Sequence, residues 1–182
     1  MSKGKWDKYF FDICNTVASN SKCLSRQIGA VIVRDKSIVS TGYNGAPRGV
    51  PSCDRRYFAD EENGEPIDIH LAGALIRRGI EITEYLAAVC PRQTLGFNSG
   101  EGLEWCVAGH AERNAIVNAA RLGVSTMGSN MYMNCPIPCT PCLVEIINAG
   151  ISEIIVTKLE HYDKMSNYLI TERCLNVRKY SF

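Results

Sequence analysis

The chain has 182 residues, enough for one domain with a sizeable core, and its 46% hydrophobic and 21% charged content is that of an ordinary globular protein. Twenty basic against 19 acidic residues leave a formal net charge of +1 with no Lys/Arg-rich run, which argues against a nucleic acid as partner. No apolar run reaches membrane-spanning length and Met1–Asp7 is polar, so neither a membrane nor a secretory route is expected; nine cysteines then read as metal ligands and reduced core thiols, in the cytoplasm or a virus-infected host cytoplasm.

Trp6, Phe10, Ile13, Cys14 and Val17 recur at helical spacing and predict an amphipathic helix over 5–20. Gly29–Val33 and Ser37–Tyr43 flank the turn Asp35-Lys36 and predict a hairpin, broken by Asn44-Gly45-Ala46-Pro47. The segment 54–105 fits a βα alternation less well. Its stretch Asp54–Glu65 is polar, Ile67–Arg78 reads as a helix, and Thr83–Val89 as another. We read it as an insertion at about 54–105 within a single domain over 1–182. A helix over 110–122, a strand at 130–134, a helix at 142–149 and a strand at 153–157 follow. Tyr168–Ile170 suggests helix and Leu175–Tyr180 a last strand. This order implies an α/β fold, a three-layer α/β/α sandwich with a mixed central sheet.

Two short stretches carry the chemistry. Gly109-His110-Ala111-Glu112 opens one helix, and Pro138-Cys139-Thr140-Pro141-Cys142 opens the other. His110, Cys139 and Cys142 are one imidazole and two thiolates, which leaves a fourth position of a tetrahedral Zn2+ open, as catalytic zinc requires. Cys139 and Cys142, at i and i+3, share a helix face, and a helix N-terminus favours thiolate. Pro141 suits the first turn and Gly150 the end. Glu112, two residues past the histidine, is placed as general acid/base, and His-x-Glu with Pro-Cys-x-x-Cys is the zinc deaminase signature. The competing reading, a structural or redox Cys-x-x-Cys, has no need of the His-Ala-Glu stretch.

Over nearly its whole length the chain resembles the deoxycytidylate (dCMP) deaminase family, of the cytidine deaminase type. The matching stretches are Ser21–Cys23 with Ile28–Val33, Ser40–Pro47, Cys90–Glu101 with Cys106, His110–Ile116 and Pro138–Cys142, with a weaker match beyond Tyr162-Asp163-Lys164. The resemblance implies hydrolysis of dCMP to dUMP and ammonia, a hydrolase acting on a cyclic amidine, supplying dUMP for thymidylate synthesis. It also implies a homo-oligomer, commonly a hexamer, activated by dCTP and inhibited by dTTP, with Mg2+ accompanying these triphosphates. Gly42, Tyr43, Asn44 and Gly45 correspond to the stretch associated with the effector site.

By the same resemblance Asn44 and Ala111 contact substrate; Asn44 is otherwise an ordinary turn asparagine. Arg26 reads as a phosphate ligand or a solvated charge, and Tyr162 as a nucleotide contact or a core residue. Arg121 lies on the exposed side of its helix or at a subunit contact. Cys23, Cys53, Cys90 and Cys106 each fall at an element end within matching stretches and form a candidate second, structural Zn2+ site, with His70 as substitute for Cys23; four buried thiols is the plainer reading. The alternative function is another cytidine-type or polynucleotide-editing deaminase, which would call for basic and aromatic surface that the composition lacks.

Overall fold

The structure, a computed structural model, describes residues 3–57, 68–98 and 100–182. The chain divides into two compact units: Met1–Ser21, Ile28–Asn44 and His110–Phe182 form the first, and Lys22–Gln27 with Gly45–Gly109 the second.

The first unit is a five-stranded sheet in the order β2-β1-β3-β4-β5, built from β1 (Gly29–Arg34), β2 (Ser37–Tyr43), β3 (Asn130–Met133), β4 (Glu153–Val156) and β5 (Asn176–Lys179). β1 pairs antiparallel with β2 and β3, whereas β3, β4 and β5 run parallel, so the sheet is mixed as expected. Asp35 and Lys36 both take positive φ, 51° and 61°, the two-residue hairpin turn whose twist matches that of its strands. Strand alternation sorts the core into two faces. Val31, Val33, Tyr132 and Ile155 meet α1 (Lys3–Ala18) through Phe10 and Cys14. Ala30, Ile32, Met131, Met133, Ile154 and Val156 meet Ala111 and Ala115 of α4 (Ala111–Arg121) and Leu143 and Ile146 of α5 (Thr140–Asn148). Both faces are covered, which is why β1, β3 and β4 read as continuous apolar runs. Each fully buried Leu or Ile contributes about 1.5–3 kcal/mol of burial free energy. The C-terminal segment resolves into α6 (Lys164–Arg173) followed by β5.

The edges of this unit are tied by charge. Arg178 forks onto Asp7 at 2.6 and 2.9 Å and reaches Glu153 at 3.2 Å, while Ser181 donates its N–H to Asp7 at 2.9 Å. Burial alone would raise the Asp7 carboxyl, but Arg178 and Ser181 outweigh it and hold it below the usual range.

The second unit has a small core of its own, Tyr57, Leu71, Ala74, Leu75, Leu86 and Leu95. Its α2 (Ile69–Arg77) starts at Asp68, whose carboxylate accepts the Leu71 N–H at 2.9 Å and also pairs with Arg56 at 2.6 Å. A short α3 (Pro91–Thr94) follows. Within Thr83–Val89, expected as a helix, Glu84–Ala88 is a 3-10 turn that runs out into extended backbone at Val89. Gly45 and Gly109 pair across the base of this unit, with N–H to O distances of 3.1 and 2.8 Å. The unit is broader than the segment 54–105 read as an insertion, because it takes in Lys22–Gln27 and the stretch after Asn44. Ile67, where a helix was expected to begin, and 58–65 of the polar stretch lie outside the described residues. No helix among the described residues is long and apolar enough to cross a membrane.

Candidate active site

The site is made by the starts of α4 and α5. His110 occupies the N-cap of α4 and Cys139 that of α5, both in extended backbone, so the ligands flank the first turn rather than all lying within it. Leu143 donates its N–H to the Cys139 carbonyl at 3.0 Å and Asn114 to the His110 carbonyl at 3.0 Å, so each helix begins on a ligand residue. Pro141 sits in the first turn of α5, and Gly123 and Gly150 follow the two helix ends with positive φ.

These starts bring three donor atoms together. His110 Nδ1 is 3.2 Å from Cys142 Sγ and 3.5 Å from Cys139 Sγ, and all three donors lie within 4.8 Å of one another. Among the described residues no other His, Cys, Asp or Glu set of three is this close. Tetrahedral zinc with bonds of about 2.0–2.3 Å would hold its donors about 3.6 Å apart, so the spacing fits Zn2+. The ionisation of the set fits as well. Hydrogen bonding with Cys142 favours the Cys139 thiolate, the same bond and burial disfavour ionisation of Cys142, and hydrogen bonding to Cys139 raises His110. Ionisation of one thiol thus opposes ionisation of the other, and a bound cation would favour both thiolates.

Glu112, the second residue of α4, is 5% exposed. Burial pushes its carboxyl above the usual range, against the opposing pull of His110. A carboxyl held ready to gain or lose a proton beside an open metal position is suited to general acid–base work.

The helix carrying Glu112 is stitched to the edge strand by polar groups. Ser40 Oγ donates to the Ala115 carbonyl, Asn118 Nδ2 to the Thr41 carbonyl and Asn114 Nδ2 to the Tyr43 carbonyl, each at 2.8 Å. Gly42 lies against α4 so closely that a Cβ there would stand 2.3 Å from the Ala115 nitrogen. Arg113 pairs with Glu145 at 2.8 Å and joins α4 to α5.

The other expected site residues are distributed as follows. Asn44 is buried; its Oδ1 accepts the Ile28 N–H at 2.8 Å and its carbonyl accepts from Ser21 Oγ at 2.6 Å. Ala111 is fully buried, and Tyr162 and Tyr43 are half-exposed at 49% and 42%. Arg26 is exposed and belongs to the second unit, as does Gly45. Arg121 is exposed at the end of α4. Within the second unit Cys53 is buried, and Cys23, Cys53, Cys90 and Cys106 do not form a donor set close enough to share a metal among the described residues. Burial raises the Cys53 thiol to about 11, and the charges of Cys23, Cys106 and Cys90 act in the same sense, against Arg56. None of the four is in a disulfide. His70 is exposed and lines a cleft with Arg56, Asp68, Glu104 and Trp105.

Two supporting residues were not singled out from sequence. Asn134 places Oδ1 on the Gly29 N–H at 2.8 Å and Nδ2 on Asn15 Oδ1 at 3.0 Å, pinning the start of β1 to the end of β3. Asp163 caps α6 and also accepts the Thr140 N–H at 3.2 Å. The spacing Asp163-x-x-Ser166 before a helical run is a capping signal that could have marked it.

A family model described as the cytidine and deoxycytidylate deaminase zinc-binding region matches residues 4–158. The chain is 30% identical over 183 residues to a deoxycytidylate deaminase of Saccharomyces cerevisiae, covering 100% of this chain but 47% of that protein, so it spans about half of that relative's length. It is 35% identical over 158 residues to a deoxycytidylate deaminase of Enterobacteria phage T4, covering 84% of this chain and 76% of that one. The fold matches a crystal structure of dCMP deaminase from cyanophage S-TIM5 in complex with dCMP and dUMP, with a TM-score of 0.63, 20% identity and 98% and 99% of the two chains covered.

Proposed function

Since the chain belongs to the cytidine and deoxycytidylate deaminase family, we propose that it hydrolyses dCMP to dUMP and ammonia, supplying dUMP for thymidylate synthesis. The observation that carries this is the convergence of His110, Cys139 and Cys142 beside the buried Glu112. His110, Cys139 and Cys142 would hold Zn2+, which supplies Lewis-acid activation of water. Glu112 takes a proton from the attacking water and gives it to N3 of the cytosine ring as the water oxygen bonds to C4, then takes the second proton of that oxygen and gives it to the amine leaving C4, which departs as ammonia. One carboxyl serves as base and then acid because burial has moved it toward neutral pH. Asn44 and Ala111, near the start of α4, and Tyr162, on the loop before α6, are the proposed nucleotide contacts, with Arg26 for the phosphate. Asn44 is held in place by the Ile28 N–H on its Oδ1.

The first unit corresponds to the deaminase core of a single domain and the second to its insertion. The electrostatic influence of Cys23, Cys90 and Cys106 on Cys53 supports a second, structural Zn2+ bound by Cys23, Cys53, Cys90 and Cys106. The family resemblance supports a cytoplasmic homo-oligomer, a hexamer, with dCTP activating and dTTP inhibiting, each with Mg2+, at a site including Gly42, Tyr43, Asn44 and Gly45. Ammonia release from dCMP, cytidine and single-stranded DNA tests the substrate. Each charged hydrogen bond to the phosphate is worth roughly 1.5–3 kcal/mol, so several should give dCMP a kcat/KM far above that of cytidine. Comparable efficiency on cytidine, or turnover of the polynucleotide, would overturn the nucleotide reading.

A further inference from the structure

We propose that Asp163 is a positioning residue for the metal-binding turn, holding Cys139 and Cys142 in register through Thr140. The inference rests on the reading that His110, Cys139 and Cys142 bind Zn2+.

Thr140 is one of the two residues between the thiols, the other being Pro141, and the first residue of α5. An N-cap side chain normally takes one of the free N–H groups at a helix start. Here the N-cap residue is Cys139, whose sulfur is turned to His110 Nδ1 at 3.5 Å. Pro141 has no N–H to satisfy. Asp163 supplies the missing acceptor from outside the helix: its Oδ2 takes the Thr140 N–H at 3.2 Å and its Oδ1 takes the Thr140 hydroxyl. The same carboxylate accepts the Ser166 N–H at 2.7 Å, and Ser166 Oγ returns to the Asp163 backbone, a complete capping box for α6. One half-buried carboxylate therefore starts two helices, α5 with the thiols and α6 immediately after Tyr162. The α6 cap would be met by Asp163 and Ser166 alone. The two bonds to Thr140 are not needed for α6, and they fix the backbone at a point between the ligands where a rotation would separate the sulfurs. Groups that orient metal ligands in this way typically change metal affinity by about 10–100-fold when removed.

The test uses the full chain, with Zn2+ affinity measured by chelator competition and the geometry read from the thiolate-to-metal and ligand-field bands of Co2+ bound at the triad. Asp163→Ala is expected to weaken Zn2+ by about 10–100-fold and to shift the Co2+ bands, with Asp163→Asn, which keeps one acceptor oxygen, in between. Thr140→Val, which loses only the hydroxyl, is expected to weaken Zn2+ by a few-fold. Ser166→Ala breaks the α6 box without touching Thr140 and is expected to leave Zn2+ affinity within about twofold of the parent. Should Asp163→Ala not fold, the Asp163→Asn and Thr140→Val variants decide. The proposal is overturned if the Asp163 and Thr140 variants all bind Zn2+ as the parent does with unchanged Co2+ spectra, or if Ser166→Ala weakens it as much as Asp163→Ala. A parent chain that binds no Zn2+ at the triad would overturn the metal reading itself, and the proposal with it.

Discussion

Gly42→Ala adds a single methyl group to β2 and should disturb the whole site. A Cβ at position 42 would stand 2.3 Å from the Ala115 nitrogen, 2.4 Å from the Ala111 carbonyl oxygen and 2.8 Å from the Ala115 Cα. All three are backbone atoms of α4, so no rotamer change can relieve the clash. Restoring a separation of about 3.5 Å requires moving α4 away from β2 by about 1 Å. That movement strains the three 2.8 Å bonds from Ser40, Asn114 and Asn118 and opens the packing of Ala111 and Ala115 on the sheet. Overpacking of this kind costs typically about 1–3 kcal/mol, and the rigid backbone on both sides places Gly42→Ala toward the upper end. With a urea slope of about 1–3 kcal/mol/M, the unfolding midpoint should fall by about 1 M or more. The start of α4 carries His110 and Glu112, and a displacement of about 1 Å at reacting groups costs about 10²-fold in rate. Urea unfolding with zinc loaded, followed by turnover of dCMP, measures both effects. A midpoint within about 0.3 M of the parent with turnover unchanged would refute the packing argument and return Gly42 to the effector role alone.

Glu112→Gln should keep Zn2+ and the fold while turnover of dCMP falls by at least about 10²-fold; near-normal turnover in metallated protein removes Glu112 from the mechanism. Metal analysis of the untagged chain should give two zincs, falling to one in Cys90→Ser with activity retained, whereas one zinc in fully active parent rules out the four-cysteine site. Asp7→Asn uncouples a carboxylate that is fully buried against Arg178 and should cost about 3–5 kcal/mol at pH 7. Because the folded Asp7 carboxyl lies below its usual range, its contribution is complete above the unfolded value near 3.9 and is lost as pH falls through the folded value. The gap in urea midpoint between parent and Asp7→Asn should therefore narrow below about pH 4, and a gap independent of pH would contradict the pairing.

The parts of the fold read correctly from sequence are those where one residue type serves one purpose. Val31 and Ile32 are apolar because both faces of β1 are covered, and a run covered on both faces has only one reading once turn residues bound it. The convergence of His110, Cys139 and Cys142 was legible for the same reason: few other demands place a histidine, an acid and a thiol pair at helix starts. The second unit was legible only in outline. Its small core joins Tyr57 to Leu95 across many intervening residues, so no local period announces it. Asp163 was missed because a capping aspartate is ordinary in sequence, and its second bond, to Thr140, is a tertiary fact.

Polar residues near the site carry two duties at once, and this bears on the Gly42–Gly45 stretch. Gly42 is required by the approach of α4. The Tyr43 carbonyl receives Asn114, the Asn44 side chain receives the start of β1, and Gly45 pairs with Gly109. Each of the four positions thus has a packing or hydrogen-bonding reason that operates with no nucleotide present. Any chain that seats this helix on this edge strand meets the same demand, whatever it binds. A match over the stretch therefore speaks first for the α4–β2 contact that holds His110 and Glu112 in place.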